Sequence, residues 1–106
     1  MPMAMVTDTE LQDLRGKGTP VVVDFYADWC RPCHALAPEL ERLSNRVGTA
    51  ATFVKLDIDA HPELTQELGI FSVPTVVHFG GDGSEVARSI GAMRADALAE
   101  LLQLDA

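Results

Sequence analysis

Cys30 and Cys33 are the only cysteines in a chain of 106 residues, and Arg31 and Pro32 alone separate them. A thiolate is both a nucleophile and a metal ligand, so a pair this close supports several chemistries. The two can form and reopen a disulfide. With His34 they complete Cys-x-x-Cys-His, the attachment pattern of a c-type haem. Cys30, Cys33 and His34, joined by His61 or His78, could supply four zinc ligands. They could also be an inert structural pair.

The position of the motif weighs among these readings. Val21 to Tyr26 is β-branched and aromatic, apolar on both faces except at Asp24, which is the pattern of a strand buried on both sides. Beyond Cys33 the period changes. Leu36, Leu40, Leu43 and Val47 fall on one face of a helix that ends near Gly48. The cysteines therefore sit where a buried strand hands over to a helix. With Cys30 at the helix N-terminus and Cys33 one turn on, their α-carbons lie roughly 5 Å apart. A disulfide needs about 4.4–6.8 Å, so the pair can close and reopen with little backbone movement. Pro32 suits the first turn, where a missing N–H costs nothing. The unpaired N–H groups of that turn favour the thiolate of Cys30 and make it the nucleophile, and Arg31 adds a positive charge beside it. Cys33, deeper in the helix and expected to be less exposed, is the resolving thiol. Haem attachment needs export, and Met1 to Val6 does not read as a leader. Structural zinc sites pair two short ligand clusters, and a second is missing. An inert pair needs neither a helix N-terminus nor the adjacent Trp29.

The rest of the chain reads as a scaffold for that junction. Met3 to Val6 is a possible edge strand. Thr7-Asp8-Thr9-Glu10 is a capping box that opens a short helix closed by Gly16 and Gly18. Pro38 is expected to kink the helix after Cys33. Thr52 to Asp57 is a strand, and Pro62 to Leu68 a short helix closed by Gly69. Thr75 to Phe79 and Glu85 to Ile90 form a hairpin across Gly80-Gly81-Asp82-Gly83, and Leu98, Leu101 and Leu102 share one face of a last helix. The order β-α-β-α-β-α-β-β-α gives an α/β fold, a central mixed sheet of about five strands with helices on both faces. One domain over residues 1–106 accommodates it.

Composition narrows the function. Hydrophobic residues make up 47% and charged residues 23%, with a net charge of −8, which disfavours nucleic acid as a direct ligand. No apolar run is long enough to span a bilayer. The expectation is a cytoplasmic monomer with no cofactor beyond its own disulfide.

Val23-Asp24-Phe25-Tyr26-Ala27-Asp28-Trp29-Cys30-Arg31-Pro32-Cys33 resembles the active-site signature of the thioredoxin family. Ala37-Pro38, Lys55-Leu56-Asp57-Ile58-Asp59, Val73-Pro74-Thr75 and Ile90-Gly91-Ala92 match it further, in order, from about Met3 to Leu104. The resemblance implies the thioredoxin fold and a protein-disulfide reductase recharged by a flavin-containing, NADPH-dependent thioredoxin reductase. Its implied clients are ribonucleotide reductase, peroxiredoxins and methionine sulfoxide reductases. It makes Pro74 a cis-proline beside the disulfide, where the sequence itself says only that Val73 is extended. It places Trp29, Val73, Pro74 and Gly91 on an apolar docking surface, alongside Arg31 and Pro32 of the motif. It also makes Asp24 a buried carboxyl beneath the cysteines, raised by desolvation, partly opposed by Lys55 and able to relay a proton for Cys33.

Three positions depart from the commonest pattern: Tyr26 replaces a tryptophan, His34 replaces a basic residue, usually lysine, and Arg31 replaces glycine. Arg31 bears on redox poise, because a group that stabilises the thiolate stabilises the reduced form. Two other uses of the same face are an oxidase or isomerase of secreted proteins, and a binding module without turnover.

Overall fold

The computed structural model describes residues 3–104. Thr7 opens the first helix as a complete capping box: its hydroxyl accepts the Glu10 N–H and the Glu10 carboxylate accepts the Thr7 N–H. The strands are β1 (Ala4–Met5), β2 (Val21–Tyr26), β3 (Thr52–Asp57), β4 (Thr75–Phe79) and β5 (Glu85–Ile90). The helices are α1 (Asp8–Leu14), α2 (Arg31–Val47), α3 (Pro62–Glu67) and α4 (Ala95–Leu101). The sheet runs β1-β3-β2-β4-β5, with β1, β3 and β2 parallel and β4 and β5 antiparallel. This is the five-stranded mixed α/β sheet expected.

The side-chain period explains which helix covers which face. Val21, Val23 and Phe25 point one way and pack with Leu11 of α1 and Leu64 of α3. Val22 points the other way, joined by Val76, and packs on Leu36, Leu40 and Leu43 of α2 and Leu98 of α4. β2 is thus buried on both sides, as its sequence demanded. Pro38 lies inside the unbroken α2, where its missing N–H leaves the His34 carbonyl without its usual helical donor.

One expectation about the core is corrected. Leu101 is 52% exposed, while Leu98 and Leu102 are fully buried. The buried stripe of α4 runs Ala95, Leu98, Leu102, the i, i+3, i+7 row, and Leu101 lies off it. The hairpin carries a register irregularity at His78/Phe79, and Gly80 N–H bonds the Ser84 carbonyl (2.8 Å) to close the turn.

Candidate active site

β2 ends at Tyr26, and the chain turns through Ala27, Asp28 and Trp29 before α2 begins. The turn is fixed by the Cys30 N–H on the Ala27 carbonyl (3.1 Å). Cys30 is the N-cap of α2, and its Sγ accepts the Cys33 N–H at 3.2 Å. The two cysteines are joined as a disulfide with α-carbons 5.3 Å apart. Pro32 stands in the first turn, and Arg31, the first helical residue, is exposed beside it.

The expected asymmetry in burial is not found. Cys30 and Cys33 are each 4% exposed. What differs is hydrogen bonding: the amide of Cys33 points at the Cys30 sulfur, as an N-cap acceptor requires. The two sulfurs therefore differ by their place at the helix end rather than by depth. Ala27 is buried with the disulfide, and Tyr26, Ile58 and Val73 pack against them.

Asp24 lies beneath, on the α2 side of β2, with Lys55 opposite in the β2–β3 register. Its Oδ1 is buried without a hydrogen-bond partner among the described residues. Burial raises the carboxyl from the ordinary 3.8 to about 7, and Lys55 pulls the other way. A cleft of about 110 Å³ connects Asp24 to Cys33, with Tyr26, His34 and Lys55 in its wall. That space takes several water molecules.

On the opposite side of the disulfide the Val73–Pro74 bond is cis. The Pro74 carbonyl accepts the Gly91 N–H (2.9 Å), which seats Gly91 against the same loop. Neither the N–H nor the C=O of Val73 has a hydrogen-bond partner among the described residues. Trp29 is 69% exposed, its indole N–H donating to Asp59 Oδ2 at 2.8 Å. The structure thus brings Trp29, Arg31, Pro32, Val73, Pro74 and Gly91 around the cysteines, with Asp24 and Lys55 below.

Sequence reasoning missed several residues here. Asp59 fixes the Trp29 ring and Ile58 packs on the disulfide; both lie just past β3, where the Asp57 carboxylate accepts the Asp59 N–H in a tight turn. Phe71 is 92% exposed two residues before Val73, and Ile90 is exposed just before Gly91. Ile70 and Val73 make the same loop apolar, so composition alone did not single out Phe71.

Each histidine side chain has a polar partner elsewhere in the chain. His34 Nε2 is 2.7 Å from the Asp28 carbonyl. A carbonyl only accepts, so Nε2 carries the hydrogen. His61 precedes α3, 3.6 Å from the Asp8 carboxylate. His78 is buried with Nδ1 2.7 Å from the Leu102 carbonyl. Among the described residues, no three His, Cys, Asp or Glu side chains converge as a metal site. No helix among them is long and apolar enough to cross a membrane.

Known proteins match this arrangement. The thioredoxin family profile covers residues 3–104. The Chlamydia muridarum thioredoxin is 45% identical over 82 residues, 77% of this chain and 78% of that protein. The bifunctional thioredoxin reductase/thioredoxin of Mycobacterium leprae is 41% identical over 88 residues, 82% of this chain, and the chain spans only 19% of that longer protein. Among solved structures, the Malassezia sympodialis thioredoxin superposes with a TM-score of 0.86 at 30% identity, over 100% of this chain and 96% of that one. A closed disulfide at a helix N-terminus, a profile match over nearly the whole sequence and relatives of this similarity agree. The chain belongs to the thioredoxin family and is a protein-disulfide oxidoreductase.

Proposed function

We propose that the chain acts as a cytoplasmic, monomeric disulfide reductase in which Cys30 attacks and Cys33 resolves. In the first step the Cys30 thiolate attacks one sulfur of a client disulfide, and the other leaves as a thiolate. Cys33 gives its proton to the Asp24 carboxylate, and the Cys33 thiolate attacks the Cys30 sulfur. The second client thiolate leaves, so the client gains two electrons and Cys30–Cys33 closes. Protonated Asp24 then returns its proton to the leaving thiolate through the cleft below Cys33. Lys55 keeps the carboxyl from rising further. The observation that carries this reading is the Cys33 N–H on the Cys30 sulfur, a donor that stabilises negative charge on Cys30 and not on Cys33.

The client lies along the loop before β4. The N–H and C=O of Val73, unpaired among the described residues, offer a donor and an acceptor to an extended chain in a short β-like contact, flanked by Trp29, Pro74 and Gly91, with Arg31 and Pro32 nearby. Electrons come from a flavin-containing, NADPH-dependent thioredoxin reductase. The name of the M. leprae relative supports this partnership, because it joins a reductase and a thioredoxin in one chain. Peroxiredoxins are among the proposed clients, with ribonucleotide reductase and methionine sulfoxide reductases. A solved neighbour, 31% identical with a TM-score of 0.83, comes from a study of thiol resolution in a yeast mitochondrial 1-Cys peroxiredoxin via glutathione/thioredoxin systems.

The test is trapping. Cys33→Ser should accumulate clients as mixed disulfides on Cys30, identified by non-reducing electrophoresis and peptide mass mapping. Cys30→Ser should trap none. Clients held on Cys33 in the Cys30→Ser protein would reverse the assigned roles.

A further inference from the structure

The loop from α3 to β4 is tied down by side chains of β5. Gly69, just past the Leu68 cap of α3, turns the chain away with a left-handed φ of +68°. There the Gly69 N–H bonds the Gln66 carbonyl (3.1 Å) and the Ile70 N–H bonds the Thr65 carbonyl (3.0 Å). Ile70 drops into the core, and the carbonyls of Leu68 and Gly69 are left at the helix end. Arg88 takes both. Its Nη2 lies 2.8 Å from the Leu68 oxygen and its Nη1 3.2 Å from the Gly69 oxygen. Glu85 holds the other edge of the same guanidinium, at 2.7 Å from Nε and 2.7 Å from Nη2. The planar fork is thus committed in two directions, which lysine cannot reproduce.

The far end of the loop is fixed as well. Thr75 Oγ1 donates to the Ser72 carbonyl (2.7 Å), and Gly91 N–H to the Pro74 carbonyl (2.9 Å). Arg88 and Gly91 belong to β5 and its immediate continuation, so a single stretch of chain sets both ends of the loop. Between the ties stand the exposed Phe71 and the backbone of Val73, which is unpaired among the described residues.

We propose that Arg88, oriented by Glu85, is a positioning residue for protein clients: it sets the height of the loop that presents Val73 beside the disulfide and holds Phe71 out to solvent. This rests on the reading that clients pair along Val73. Arg88 contacts neither sulfur, so a small disulfide that needs no backbone pairing is indifferent to it.

The experiment mixes pre-reduced protein rapidly with insulin or with a small aromatic disulfide, 5,5′-dithiobis(2-nitrobenzoate), without reductase. Arg88→Gln should raise the half-saturating insulin concentration about three- to tenfold, with the limiting rate and the small-disulfide rate changed by less than about twofold. Arg88→Lys should recover part of the loss, since an ammonium can bond one carbonyl but cannot form the fork. Glu85→Gln keeps the guanidinium and should fall between, and it decides the question if Arg88→Gln does not fold. Equal losses for both disulfides, or an unchanged insulin dependence in the folded variants, overturn the proposal. Val73→Asp, which puts a carboxylate on the docking face, separates the two ideas. If it weakens insulin binding and the Arg88 variants do not, the positioning role fails. If it has no effect either, the docking reading fails with it.

Discussion

Lys55 stands opposite Asp24 in the β2–β3 ladder, yet its ammonium does not claim the carboxylate. The Asp24 Oδ1 is buried and unbonded among the described residues, while Lys55 Nζ lies 5.2 Å from the centre of the Tyr26 ring. Two opposed effects meet at this carboxyl. Desolvation disfavours the charged form, the nearby cation favours it, and desolvation dominates, which leaves Asp24 at about 7. An acid of that strength is half ionised near neutral pH, where a proton relay works best.

The same burial weakens the fold. Because the folded value of about 7 exceeds the ordinary 3.8, the folded state binds the proton more tightly than the unfolded chain. Stability is therefore full below about pH 4 as far as this group is concerned, and is lost as pH rises from there through about 7. Asp24→Ala should remove that slope and stabilise the protein at neutral pH by about 2–4 kcal/mol. Cys33-dependent turnover should slow in the same variant. Urea melts at pH 5 and pH 8 check the first claim, and a variant less stable than the parent at pH 8 refutes it.

Lys55→Met should move the Asp24 carboxyl further up, since it removes the cation that pulls it down. Direct titration by carboxyl-selective NMR or infrared difference spectroscopy reads the shift. The pH profile of turnover should move to higher pH with it. A carboxyl that titrates lower in Lys55→Met would mean that desolvation, and not the charge, had changed.

The central place of β2 and the strand–helix junction were legible in the sequence because each rests on a local pattern. Val21 to Phe25 is apolar at both parities except at Asp24, so β2 had to be central, and Leu36, Leu40 and Leu43 repeat at helical spacing, so α2 had to follow. The residues missed depend on contacts across the chain. Asp59 finds Trp29 from 30 residues away, and Arg88 reaches Leu68 from 20. No periodicity carries that information. Cys33 was expected to be less exposed than Cys30 because it lies further along the helix. Ile58 and Val73 pack against the cluster that holds both cysteines, and the two end equally buried.

His78 is another contact of this kind. Its Nδ1–H donates to the Leu102 carbonyl, the C-cap of α4, and so pins the last helix to β4. His78→Leu keeps an apolar bulk but leaves that carbonyl without this donor, and should cost about 1–3 kcal/mol. Denaturant melts measure the loss. Reductase activity well below the melting transition should be retained, because β4 meets the site at Thr75, at its opposite end from Phe79. A variant as stable as the parent would show that the bond contributes nothing net.

Arg31 should tune the potential of the Cys30–Cys33 couple. It occupies the first position of α2, next to the sulfur that accepts the Cys33 N–H, and its side chain is exposed. A cation there stabilises charge that exists only after reduction, when Cys30 is a thiolate. It therefore favours the reduced form and makes the disulfide more oxidising. Solvent limits the effect: an exposed charge interaction is worth about 0–1 kcal/mol, and 30 mV corresponds to about 1.4 kcal/mol for a two-electron couple. Arg31→Gly should then lower the potential by about 10–20 mV. The difference should shrink in high salt, as screening removes the attraction. Equilibration of both proteins against glutathione at low and high ionic strength gives the two differences. An unchanged or higher potential in Arg31→Gly would show that Arg31 leaves the couple alone and must act on client contact instead.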